Sequence, residues 1–87
     1  MMPFRSVLRV AADDEFVLIV EPWANEFNIH RGEDCELIAI HPTAVPILTV
    51  MPCPEGLVAY VNDGGAAFEF WRGDKLEFSM TVPIPPI

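Results

Sequence analysis

Apolar and polar residues alternate along this chain in short runs of period two. Leu76, Phe78, Met80 and Val82 fall on one side of an extended segment, with Glu77, Ser79 and Thr81 on the other. Phe68 and Phe70 alternate with Glu69 in the same way. No window of a dozen residues carries an apolar stripe at i, i+3, i+4, i+7 free of Pro and Gly, and the nine prolines are spread along the chain. The runs between turn residues predict strands at Arg5–Ala11, Glu15–Glu21, Glu26–His30, Cys35–Ile40, Ile47–Met51, Leu57–Asn62, Ala66–Trp71 and Leu76–Val82. Short strands at this spacing predict an all-β fold, a small antiparallel sandwich or barrel of seven or eight strands, in one domain spanning residues 1–87. Residues 82–87, Val-Pro-Ile-Pro-Pro-Ile, read as an extended proline-rich tail, because proline cannot donate to a ladder.

Two runs break the alternation. Phe16-Val17-Leu18-Ile19-Val20 and Leu37-Ile38-Ala39-Ile40 are apolar on both faces, which suits central strands covered on two sides by a second sheet or a partner chain. An internal echo joins the two halves. Phe27-Asn28-Ile29-His30-Arg31-Gly32-Glu33-Asp34-Cys35-Glu36-Leu37 matches Phe68-Glu69-Phe70-Trp71-Arg72-Gly73-Asp74-Lys75-Leu76-Glu77-Phe78, forty-one residues on. Each copy has strand periodicity on both sides of a Gly-acid turn, which predicts a β-hairpin in each. The echo leaves two readings open, a pseudo-duplicated half-barrel or convergent hairpin chemistry.

Charge narrows the function classes. Thirteen acids against five Lys+Arg give a formal net charge of −8, which repels a phosphate backbone and argues against nucleic-acid binding. A mean hydropathy of +0.33 excludes intrinsic disorder. No Gly-rich loop opens a helix, so nucleotide-binding loops are excluded as well. The first ten residues carry Arg5 and Arg9 and lead into Asp13-Asp14-Glu15, which is not the pattern of a signal peptide. The longest uncharged stretch, Leu37–Pro54, is broken by Pro42, Pro46, Pro52 and Pro54, so no membrane span is expected. With no export signal, Cys35 and Cys53 are expected as reduced thiols in a cytoplasmic protein.

Candidate chemistry is sparse. His30, Cys35, His41 and Cys53 lack the close spacing of zinc ligands, and no metal or cofactor is expected. Ser6 and Ser79 stand in no nucleophile elbow. The binding candidates are Trp23 in Glu21-Pro22-Trp23, read as a core end-plug or as an aromatic anchor, and Trp71 with Arg72 beside the second turn, with His30 at the place matching Trp71 in the first copy.

Glu21-Pro22-Trp23 followed by Phe27-x-Ile29-x-x-Gly32-Glu33-x-x-Glu36-Leu37 resembles a group of short bacterial proteins of unknown function, over roughly Val20 to Ala39. His30-Arg31 stands where that group often has a Pro-Pro pair before its Gly-Glu turn, and the resemblance carries no activity. The expected function is therefore a non-enzymatic binding or interaction module. High apolar content in so short a chain predicts a homo-oligomer, most simply a two-fold dimer that buries an apolar sheet face or pairs edge strands, with the proline-rich tail as an arm across it. The acidity would steer it toward a basic protein partner, with an immunity or antitoxin protein as a special case. The alternative is a small-ligand or metal-dependent activity in a barrel cavity, using His30, His41 or Cys35.

Overall fold

The computed structural model describes residues 2–85, which hold eight strands and, among the described residues, no helix. They are β1 Phe4–Ala11, β2 Phe16–Glu21, β3 Asn25–Ile29, β4 Asp34–His41, β5 Leu48–Cys53, β6 Gly56–Val61, β7 Ala67–Arg72 and β8 Lys75–Met80. Each lies within two residues of the segment its alternation predicts. The strands form two four-stranded sheets, a front sheet in the order β1-β4-β7-β8 and a back sheet in the order β3-β2-β6-β5. Of the two architectures expected from sequence, the sandwich is realised and the closed barrel is not. The Cα extents are 37 × 27 × 17 Å, the short axis being the two-sheet thickness.

The strands that are apolar on both faces, β2 and β4, are interior strands of the back and front sheets. Leu18, Val20, Leu37 and Ala39 point between the sheets and are fully buried. Their outward neighbours Val17, Ile19, Ile38 and Ile40 are half-buried. Aromatic rings dominate the side of the core where β3 faces β7 and β8. Phe27 stacks on Phe70 with ring centroids 4.2 Å apart, and meets Phe68 at 6.2 Å and Phe78 at 5.7 Å edge-on. Such pairs contribute about 0.5–1.5 kcal/mol each beyond their buried area.

All neighbouring pairs run antiparallel except β2 and β6, which run parallel. Gly56 makes that join, since a Cβ there would sit 2.4 Å from the Val17 carbonyl oxygen. Only a residue without a side chain fits.

The echo does not behave as two hairpins. In the second copy β7 pairs with β8 across the Gly73-Asp74 loop, as expected. In the first copy β3 pairs with β2 in the back sheet, while β4 pairs with β1 and β7 in the front sheet. The first Gly-acid turn therefore bridges the two layers. The two copies occupy non-equivalent places, so the echo is not a duplicated half-barrel.

Residues 82–85 form no strand, with a bend at Val82, and they fold back on their own chain. The Ile84 N–H donates to the Ala66 carbonyl at 2.9 Å, and the Gly65 N–H donates to the Ile84 carbonyl at 2.6 Å. Pro86 and Ile87, the last residues of the expected tail, lie outside the described residues.

Candidate functional site

Strand direction divides the connections into two poles. The 11–15, 30–33, 53–56 and 72–75 connections gather at one end of the sandwich. Residues 2–4, 21–25, 41–48, 61–66 and 81–85 gather at the other. Strands of five to eight residues at roughly 3.3 Å per residue hold these poles about 20 Å apart.

The first pole is charged. Asp13, Asp14, Glu15, Glu33, Asp34, Glu55 and Asp74, seven of the thirteen acids, lie there with Arg31, Arg72 and Lys75. Arg72 organises it. Its guanidinium donates to Glu33 Oε1 at 2.8 Å and through Nε to Glu77, and lies 5.3 Å over the Phe70 ring. Glu33 also accepts the His30 backbone N–H at 2.7 Å. That hydrogen bond, with Arg72 beside it, holds the Glu33 carboxyl below the usual carboxylate range against an opposing push from partial burial. Burial pushes the Cys35 thiol up, with Arg72 pulling against it, and the side chain is part of the core. The His30 ring is exposed, its Nδ1 3.4 Å from Glu15 Oε1. Beside it a shallow cleft of about 450 Å³ is lined by Glu15, Asn28, His30 and Glu55 around Phe16 and Ile29.

The second pole is apolar. Met2, Phe4, Val45, Ile47 and Val82, half of the large apolar side chains that stand exposed among the described residues, belong to it, and Val45, Ile47 and Val82 are 62%, 58% and 66% exposed. Glu21 and Asp63 are the acids among its segments. The 42–47 connection is nonetheless built in. Ser6 Oγ donates to the Pro46 carbonyl at 2.5 Å, the Ile47 N–H donates to Asp63 Oδ2 at 2.5 Å, and Pro46 is buried. Trp23 plugs the core beneath this pole, its ring centroid 4.9 Å from that of Phe68 and its Nε1–H donating to the Val82 carbonyl at 2.9 Å.

The candidates therefore separate. His30 and Arg72 meet through Glu33 at the charged pole. Trp71 stands beside them on the outer face of the front sheet, half-buried, donating its indole N–H to Glu69 Oε1 at 3.1 Å. Trp23 lies at the far pole. His30 and His41 flank opposite ends of β4, so His30, His41 and Cys35 form no common centre. Among the described residues no group of three or more His, Cys, Asp or Glu side chains is placed to hold a metal ion. No helix among them is long and apolar enough to cross a membrane.

Sequence reasoning missed Val45 and Ile47 as surface residues. Ile47 reads as the first residue of a strand, but β5 begins at Leu48. The available signal was two prolines, Pro42 and Pro46, enclosing an aliphatic residue in a stretch without alternation. No family model, no curated protein and no solved structure matches this chain.

Proposed function

We propose that this protein is a non-enzymatic interaction module that acts as a homo-oligomer, joined through its apolar pole and offering its acidic pole to a basic protein partner. The supporting observation is the segregation itself, with Phe4, Val45, Ile47 and Val82 exposed at one end and seven acids gathered at the other. Apolar surface gathered in this way gains free energy when covered. Two copies meeting at their apolar poles keep the acidic poles several Debye lengths apart, since that length is about 8 Å at physiological ionic strength. Association at the acidic end would instead bring like charges together. The free acids of that pole raise the rate of encounter with a cationic surface. A reducing, cytoplasmic setting agrees with two unpaired thiols, one sealed in the core.

Light scattering on the eluting protein at tens of micromolar tests the reading. The wild type is expected as a dimer, Val45→Asp/Val82→Asp as a folded monomer, and Asp13→Lys/Asp14→Lys as a dimer with weakened, less salt-sensitive binding to a lysine-rich peptide. A wild-type monomer, or a dimer indifferent to the apolar-pole variant, overturns it.

A further inference from the structure

His41 closes β4, where it pairs with Phe4 and shares the inward parity of Cys35, Leu37 and Ala39. Its ring is the junction of two connections of the apolar pole. Nδ1 accepts the backbone N–H of Thr43 at 3.2 Å and of Ala44 at 3.1 Å, with Thr43 Oγ1 at 3.4 Å. Nε2 lies 2.8 Å from the Gly64 carbonyl oxygen. Backbone N–H groups only donate and carbonyls only accept, so this set is satisfied by the neutral ring with its proton on Nε2. Gly65 lies against the same ring, since a Cβ there would come 3.4 Å from Nε2.

A proton added to Nδ1 would confront two amide protons at the atom that now accepts them. The Gly64 bond survives, because Nε2–H is a donor in either state. The mismatch falls entirely on the 42–47 connection, whose first turn loses its acceptor while its far end stays tied through Pro46 and Ile47.

From this arrangement we infer that His41 is an acid-sensitive latch: its neutral ring folds the 42–47 connection down and orders Val45 at the apolar pole, and protonation of Nδ1 frees that turn. Two charged side chains, Asp63 and Arg5, are carried by elements next to His41. Asp63 is carried by the 62–66 connection. Arg5 is carried by β1, where its pairing with Ile40 places it on the outward face, away from His41. The 42–47 connection, residues 81–85 and Ala67 and Phe68 of β7 carry no titratable side chain; the back sheet contributes Tyr60 of β6, exposed and paired with Glu21 of β2. Glu15 and His30 are at the opposite pole. The latch regulates the surface assigned above to self-association, and its effect on the oligomer rests on that reading. The release of the turn does not.

Two-dimensional 15N–1H spectra of the full wild-type chain, recorded across the interval of about pH 8 to 5 in which histidine changes charge, test it directly. The expected result is a His41 ring in the Nε2–H form at neutral pH. The Thr43 and Ala44 amides then shift and lose exchange protection together with the His41 ring titration, while amides around His30 follow their own. His41→Asn supplies an amide oxygen that accepts those same N–H groups without titrating, and should keep both amides still. Light scattering on the same samples should show the dimer weakened roughly tenfold at the acid end, about 1.4 kcal/mol. An Nδ1–H tautomer at neutral pH, or Thr43 and Ala44 amides that ignore the His41 titration, overturns the latch and leaves the association reading standing. A chain that is monomeric throughout while those amides move overturns the association reading and leaves the latch standing.

Discussion

The two copies of Phe-x-apolar-x-Arg-Gly-acid-x-apolar-Glu-apolar begin alike and end in different architecture. The turn explains the split. In the second copy Gly73 is the first of two loop residues, with φ +57°, the position at which a II′ hairpin turn wants glycine and whose twist matches paired strands. In the first copy the Glu33 N–H closes on the His30 carbonyl at 3.1 Å, which makes Gly32, φ +82°, the third residue of its turn, as in type II. Type II turns splay the strands that flank them, and β3 and β4 part into different sheets. Partners outside the copy hold that splay: the Gly32 N–H donates to the Ala12 carbonyl at 2.9 Å and the Ala12 N–H to the Glu33 carbonyl at 3.1 Å. The copies then pack on each other, with Phe27 of the first on Phe70 of the second and Glu33 of the first on Arg72 of the second. A repeated pattern can thus serve as two halves of one contact.

Matched substitutions test this contrast. The largest effect is expected for Phe70→Ala, which removes a fully buried ring from between the copies and should cost about 4 kcal/mol in chemical denaturation. Its counterpart Ile29→Ala, equally buried but smaller, should cost about 3 kcal/mol. The arginines should differ more sharply. Arg72, with 23% of its side chain exposed, joins both turns, whereas Arg31 is 76% exposed and reaches Asp14 only at 4.0 Å. Arg72→Ala should cost about 2 kcal/mol through its stranded carboxylates and lost packing, and Arg31→Ala no more than about 0.5 kcal/mol. Equal losses at the two sites would show that the turns are interchangeable after all. Replacing Gly32 or Gly73 by Ala should cost about 1 kcal/mol each, because both need a left-handed backbone and have open space for a Cβ.

The smallest effect concerns pH. The Glu33 carboxyl is held low by the His30 N–H and by Arg72. Its stabilising contribution is therefore complete above the unfolded-chain carboxylate pKa and is lost as pH falls through the lower folded value. Glu33→Gln should flatten that part of the acid limb of a stability–pH curve. Arg72→Ala should move the Glu33 titration, followed by NMR, upward without bringing it fully back, since the His30 bond remains.

Much of the fold was legible because its signals are local. Alternation along Phe78–Met80 and Phe68–Phe70 marked strand and face. The bulge between the Phe70–Phe78 and Trp71–Leu76 pairs turns Leu76 out beside Trp71, so it does not share the face of Phe78 and Met80 as alternation predicts. Aliphatic residues on both sides of β2 and β4 marked them as interior. The candidate site was less legible. Trp23 could be named from Glu21-Pro22-Trp23, but whether it plugs or projects depends on Phe68 and Val82, both more than forty residues away. His41 could be named as a titratable group, but its three backbone partners include Gly64, brought in only by the crossing from β6 to β7. Exposure of Val45 and Ile47 depended on a connection crossing between sheets, which leaves no period in the chain.

By itself the sequence determined the strands, most of their inward faces and the positions of the turns. Each of these follows from a residue and its near neighbours through side-chain alternation, proline's missing donor and glycine's access to positive φ. Only the tertiary structure decided which strands pair, which copy of the echo closes as a hairpin, and which ends gather the acids and the exposed aliphatics. Backbone ladders are chemically alike in every strand, so the choice of partner falls to packing and hydrogen bonds made across dozens of residues.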